Sequence, residues 1–371
     1  MACAANHRVQ SLLATALLAA AVGCAGCAIS APGDPSEPTV DSRVTVLPDL
    51  TGMVVDAESV TIPRDGNGSL ASLAAGDIVV STVGEGFLRR IDAVTLTASS
   101  FVFATSDAEL PDALIDAQLV TALGGEGKAD THQLPTIGFR IADRQLLDNP
   151  AISARIANAS LAFAPEIDLD LKISDRSVEA FELILRGRVT GALDLEVDAY
   201  DAAAGPEIVL WESPPAIFHQ QVGILPVVET VTTSVVIKLQ ATAKGHGRIR
   251  VHADALATLV AGVRYTSEAG WNGVADVGLT THGSVPEASV TFEQVGIRVW
   301  LAARADVRLY GVAGPFVAAG PQASVYRATS DGHIGGEVGF RAAAGGGLKF
   351  LRLNVPALPT YDLFDVTRPI L

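Results

Sequence analysis

Apolar and polar positions alternate with a period of two along most of this chain, and the alternation is most persistent after residue 136. Glu166, Asp168, Asp170 and Lys172 interleave with Ile167, Leu169, Leu171 and Ile173, and Asp194, Glu196 and Asp198 with Leu193, Leu195 and Val197. Lys244, His246, Arg248, Arg250, His252 and Asp254 share one parity, with Ile249, Val251 and Ala253 on the other. Val295, Ile297, Val299, Leu301 and Ala303 continue the pattern to Leu309, opposite Gln294, Arg298, Arg304, Asp306 and Arg308. Such runs bury one face and wet the other, as strands of antiparallel sheets do. The 294–310 run alone would extend about 50 Å at ~3.3 Å per residue, beyond an ordinary strand. Gly296 and the Ala-rich centre are the expected places for a bend or bulge. Gly205-Pro206, Gly314-Pro315 and Gly320-Pro321 read as turns. Residues 136–371 therefore predict a large antiparallel β-sandwich of long strands.

Residues 44–135 predict a smaller, mostly β domain. Val44–Leu47 and Ser59–Ile62 are short β-branched runs, Asp65-Gly66-Asn67-Gly68 supplies turn residues, and Gly76–Ser81, Phe87–Ala98 and Phe101–Thr105 follow as strands. A helix is expected over Pro111–Leu119, where Pro suits a first turn and Leu110, Leu114 and Leu119 would share a face. Leu123 to Asp130 is a Gly-rich polar break without Gly-Lys-Ser/Thr or a following helix, hence no phosphate loop, and the domain boundary is placed near 135. The fold class is all-β: a small β domain with one short helix, then the sandwich.

The N-terminal stretch has a different character. His7 and Arg8 precede an apolar run, Leu12 to Val22, too short for a span of roughly 20 residues, so residues 1–23 read as an export signal. Ala21-Val22-Gly23-Cys24 resembles the lipobox of bacterial lipoproteins, although Ala21 stands where that family usually has Leu. The resemblance implies lipidation at Cys24, a tether over residues 24–43 rich in Pro, Ser and acids, and, with Ala25 following, an outer-membrane address. Ordinary cleavage near Ala25-Gly26-Cys27-Ala28 or Ala28-Ile29-Ser30 is the competing route and would release a secreted protein. The three cysteines, Cys3, Cys24 and Cys27, all lie in this stretch, which argues against a disulfide scaffold.

Gly76-Asp77-Ile78-Val79-Val80 followed by Gly84-Glu85-Gly86-Phe87-Leu88-Arg89-Arg90-Ile91, and then by a Thr, an Ala-x-Leu and an acidic short helix, resembles a stretch near the N-terminus of uncharacterised secreted or surface-attached bacterial proteins. The resemblance implies an address and a β-rich architecture and no active site. Leu309–Pro315 has the look of β-rich segments in the same proteins. Arg89 and Arg90 suggest an anion site, but adjacent strand residues point to opposite faces, so pairing with an acid such as Asp92 or Asp107 is the simpler expectation.

Charge narrows the partners. A formal net charge of −15 repels phosphate and makes nucleic acid a poor partner. The acidic stripe Asp194, Glu196, Asp198 with Asp168 and Asp170 has oxygen ligands for calcium, yet carboxylates two apart on a strand are ~7 Å apart and no calcium-loop motif is present; no metal or cofactor is expected. The basic stripe Lys244, His246, Arg248 and Arg250 suits an anionic polymer, glycan or lipid headgroup, or else lies across from the acidic stripe. Trp211, Trp271, Trp300, Tyr265 and Tyr310 are sugar-platform material, and Trp300 and Tyr310 sit on the polar parity; packing under a loop or second domain is the competing reading. Gly-x-Ser-x-Gly, His-Glu-x-x-His and Ser-x-x-Lys do not occur, so no enzyme is predicted. Low aromatic content and charge on most strands argue against a membrane barrel. The functional expectation is a surface lipoprotein acting as a structural or binding module, anchored to the membrane and contacting a cell-surface polymer, protein or lipid. A carrier of an apolar ligand in a curved sheet and a hydrolase with an unrecognised site are the alternatives.

Overall fold

A computed structural model describes residues 37–124, 134, 136–149, 151–200, 203–205, 207–312, 314–327, 334–346 and 358–370. The leader, Cys24 and most of the tether lie outside these residues, as does most of the Gly-rich break. The first strands are β1 (Thr39–Val40), β2 (Val44–Val46), β3 (Val54–Val55), β4 (Ser59–Pro63), β5 (Ile78–Ser81), β6 (Phe87–Leu96) and β7 (Ser100–Asp107), followed by helix α1 (Leu110–Ala113). Next come β8 (Leu114–Leu123), β9 (Ile137–Asn149), β10 (Ile152–Ser174), β11 (Ser177–Tyr200), β12 (Ala203–Ala204), β13 (Glu207–Glu212) and β14 (Ala216–Val222). The chain then enters β15 (Leu225–Thr266) and β16 (Gly270–Leu309), and ends in β17 (Pro315–Arg327), β18 (Ile334–Gly346) and β19 (Leu358–Pro369). The all-β class holds, and the upstream strands fall where the alternation placed them.

Two predicted features differ. The helix is four residues long, held by a capping box between Glu109 and Asp112, and the chain turns to strand at Leu114. Leu114, Ala117, Leu119, Thr121 and Leu123 are buried, so from Ala117 on the inward positions recur every second residue and satisfy a sheet rather than a helix. Gly320-Pro321 is no turn but lies inside β17, where Pro321 opposes Phe340. Its missing N–H coincides with a gap in the β16–β17 ladder between Trp300 and Ala303. Gly314, by contrast, does lie in the β16–β17 connection, and Pro315 opens β17.

A six-stranded sheet runs β2-β5-β6-β7-β4-β3, antiparallel apart from the β2–β5 pair. The thirteen-stranded sheet runs β1-β8-β10-β11-β15-β16-β17-β18-β19, with β9 on β10 and β12, β13 and β14 along β15. The change of sheet occurs across α1, and the break near 135 falls between two strands of the large sheet. β15 is 42 residues long and β16 is 40. Straight, β15 would reach about 140 Å. It bends instead. The β15–β16 register shifts between Lys244 and Gly245 and again between Arg250 and His252, and Gly245 adopts φ +99°, a backbone that a side chain would strain.

The bend converts one sheet into two layers. One layer holds β8, β9, β10, β11 and the distal part of β15 with the start of β16. The other holds the start of β15 with β12–β14, the end of β16, and β17–β19. Gly191 of β11 abuts Pro321 of β17, and Gly283 of β16 abuts Val338 of β18. Between the layers lies one apolar core, in which Ala253, Ala255, Ala257, Ala303, Ala305, Ala319 and Ala342 keep the facing backbones close. Ile78, Val80 and Leu88 of the small sheet join that core, while Val79, Phe87, Phe101 and Phe103 form the small sheet's own.

Buried carboxylates tie the parts together. Asp41 accepts bonds from Arg43 Nε and Nη2 at 3.1 Å each and pairs with Arg176 of the β10–β11 turn. These guanidinium donors, Arg43 first, hold its carboxyl well below the usual range against the opposing effect of burial. Arg90 pairs with Asp112 at 2.7 Å, and Arg89 donates to the Asp56 and Ala57 carbonyls. One of the two arginines thus takes an acid, though neither acid named from sequence. Glu229 of β15 is fully buried. Its Oε1 accepts the Thr121 hydroxyl of β8 at 2.7 Å, and Gln220 donates to that hydroxyl. Burial pushes the Glu229 carboxyl up to about 7.

The Asp41 and Glu229 shifts have opposite signs for stability. Asp41's pKa is depressed in the fold, so its contribution is complete above the unfolded carboxylate range and fades as pH falls through the folded value. Asp41→Asn is expected to lose about 1.5–3 kcal/mol at neutral pH, read from denaturant unfolding. Glu229's pKa is raised, so stability should decline as pH rises from about 4.5 to 7 and then level off. Glu229→Gln should remove that decline, on the order of 3 kcal/mol, in unfolding curves taken across the interval.

Candidate functional site

The outer face of the bent layer carries the charged stripes, and β-pairing brings them together. Asp198 opposes Arg248, Glu196 opposes Arg250 and Asp194 opposes His252 in the β11–β15 register. Arg248 Nε lies 2.8 Å from Asp198, Arg250 Nε 3.0 Å from Glu196, and His252 Nδ1 2.5 Å from Asp194. Arg155 of β10 reaches Asp143 and Glu196, Arg186 reaches Asp168, and Arg264 reaches Glu182. Two of the four residues proposed as an anion contact, Arg248 and Arg250, are therefore engaged by carboxylates. Lys244 sits exposed beside the bulge, opposite Gln294. His246 is placed in β15 opposite Tyr200, and its side chain is outside the described residues. Cys24 is outside them as well.

Asp168, Asp194, Glu196 and Asp198 are taken up by the same partners, and Asp170 accepts from the Gln118 amide. Among the described residues no group of three or more His, Cys, Asp or Glu side chains is arranged to hold a metal. The pairs lie on an exposed face, where each contributes little. Arg248→Ala and Arg250→Ala should each change unfolding free energy by less than about 1 kcal/mol, and a double-mutant cycle with Asp198 or Glu196 should give a coupling of similar or smaller size.

One row on this face resembles catalytic chemistry. Asp194, His252 and Ser284 stand opposite one another on β11, β15 and β16. The Asp194 bond is the main cause that raises the His252 pKa. Yet His252 Nε2 lies 3.4 Å from Asp254, which turns it to a second carboxylate rather than to a nucleophile. The row lies on an exposed sheet face beside the β15–β16 register shift at Arg250/His252. It works as a charge cluster.

The aromatic candidates separate by depth. Trp300 and Tyr310 are 6% exposed, so polar parity did not mean exposure. The Tyr310 hydroxyl donates to the Pro226 carbonyl at 2.6 Å, and Arg341 lies over the Trp300 ring. Trp271 packs between Phe181 and Tyr265. Trp211 is 38% exposed on β13.

A groove crosses the other layer's outer face. Gln240, Arg298, Ser324 and Glu337, from β15, β16, β17 and β18, form one register row; Thr242, Gly296, Tyr326 and Gly335 form the next. The groove between them holds about 360 Å³. Tyr326 is 41% exposed. Its ring occupies the place a Cβ on Gly335 would take, 2.7 Å from Cε2, whereas a Cβ on Gly296 would meet nothing within 4 Å. Glycine therefore seats the ring on one side and opens the floor on the other. Arg298 lies 3.8 Å from Asp365, and Ser324 donates to Glu337 at 3.5 Å. The alternation rule did not single out Tyr326, because Gly320-Pro321 interrupts the pattern just before it.

No protein family, curated protein or solved structure matches the chain, and nothing in those comparisons points to an enzymatic activity.

Proposed function

We propose that this chain is an exported, lipid-anchored module of the bacterial cell envelope that binds through the outer face of its sheet and catalyses no reaction. The observation that carries the reading is the contrast between its two faces. Inward side chains of β11, β15, the end of β16 and β18 retain almost none of their surface: Leu195, Ile237, Ala257, Leu301 and Phe340 are at 0–1%, while Val277, Leu279 and Val285 at the start of β16 are partly buried against the same core. A cavity able to hold an acyl chain would leave its lining accessible, so the packing gives the carrier reading no support. The outer face presents the groove with its exposed tyrosine. The small sheet shares the main core. Anchoring through Cys24, followed by a short acidic tether, would hold the folded strands at the membrane; several acyl chains at ~0.8 kcal/mol per buried CH₂ make a firm anchor.

The address is testable directly. Full-length chain expressed in a bacterial host should fractionate with membranes and carry an acylated N-terminal peptide by mass spectrometry. Cys24→Ser should lose the acyl mass and move the protein to the soluble fraction. A Cys24→Ser chain that stays with membranes, or a wild-type N-terminus without acyl mass, would overturn the anchor.

A further inference from the structure

We infer that the groove between Tyr326 and Gln240 is a binding site for a neutral oligosaccharide. The inference deepens the envelope-module reading and rests on it for the context in which the ligand is met. Four features of the groove select this chemistry.

The first is amphipathicity. A pyranose has apolar C–H faces and a rim of hydroxyls. Tyr326 offers a half-exposed ring whose position is set by Gly335, and Gln240, Thr242, Ser324 and Glu337 offer amide, hydroxyl and carboxylate partners around it. A purely apolar ligand would satisfy none of those groups.

The second is charge. Among the lining side chains one cation, Arg298, is matched by one anion, Glu337, and the protein as a whole is at −15. A polyanion would be repelled at long range and meet no excess of positive charge at the site. A neutral, hydroxyl-rich chain avoids both costs.

The third is backbone. The lining strands β15, β16, β17 and β18 are interior to the sheet, each paired on both sides here. An extended peptide docks by adding to a free strand edge, and no edge is offered in this groove. Recognition must come from side chains. The fourth is reach: at ~4.8 Å between strands, the row from Gln240 to Glu337 spans about 14 Å, room for a short oligosaccharide lying across the strands. The volume of about 360 Å³ stands at the small end of ligand sites.

The test uses the full chain purified from membranes in detergent. Cellotetraose, maltotetraose and chitotetraose are titrated against it by calorimetry, and the same preparation is pulled down on isolated bacterial envelopes. At least one of the three sugars should bind saturably. Tyr326→Ala should weaken that binding about tenfold or more. Gly296→Leu should weaken it comparably by filling the floor, and should fold normally because its side chain enters open space. Thr258→Ala, on the outer face of the other layer, should leave it unchanged. No saturable binding by any of the three, or binding that survives both groove variants when circular dichroism shows them folded, overturns the sugar site. Envelope capture that persists in both groove variants likewise overturns the site but leaves the module reading standing. Loss of envelope capture by the wild-type chain is the failure of the module reading itself.

Discussion

Everything in this fold depends on one sheet having to bury a face that runs for forty residues. The alternation gives β15 and the described side chains of β16 an apolar side, and among the described residues no layer of helices covers it. The sheet covers itself. The register shifts at Lys244/Gly245 and Arg250/His252 let both strands pass from one layer to the other, so that β11 faces β17, and the start of β16 faces β18 and β19, across a common core. Neither long strand could stay straight without exposing the side chains that stabilise it, at about 25 cal/mol for each Å².

Close approach of the two layers sets the composition. Alanine and glycine line much of the contact, and Gly283 leaves a space that Val338 fills. Where the layers meet again, at β8 and the start of β15, polar groups are enclosed, and Glu229 is buried against Thr121 with Gln220 behind it. The outer face packs only locally, in a small cluster of Val236, Trp300, Ala302, Ala318 and Ala343. It carries charges that compensate one another across strands, and it carries the groove, because Gly296 and Gly335 remove side chains where the strands would otherwise present them.

The strands, their inward parity and the joining of the acidic and basic stripes were legible in the sequence, since each follows from local alternation and from opposite charges on neighbouring strands. Several features were not. The four-residue helix gives way to strand at Leu114 because β10 offers a partner, which is a tertiary fact. Gly320-Pro321 reads as a turn from local preference, but β17 tolerates it by giving up one stretch of ladder. Trp300 and Tyr310 are on the polar parity and yet buried, and Tyr326 is exposed without any periodic signal. Glu229 could not be found from pattern alone, because its burial depends on contact with a residue 108 positions away.

The rolled sheet is probed most directly at the contact between Gly283 and Val338. In an unrolled sheet these residues would be separated by the 283-to-299 stretch of β16, about 50 Å at ~3.3 Å per residue, whereas in the fold the Val338 side chain occupies the space a Cβ on Gly283 would take. The decisive measurement is disulfide formation in a Gly283→Cys/Val338→Cys chain with the leader cysteines replaced by serine, beside a control pair, Arg298→Cys/Ser324→Cys, directly opposed in register. Rapid cross-linking of both pairs under mild oxidation is the expected result. A control pair that links while the 283/338 pair, in a chain that still folds, does not would contradict the rolled sheet.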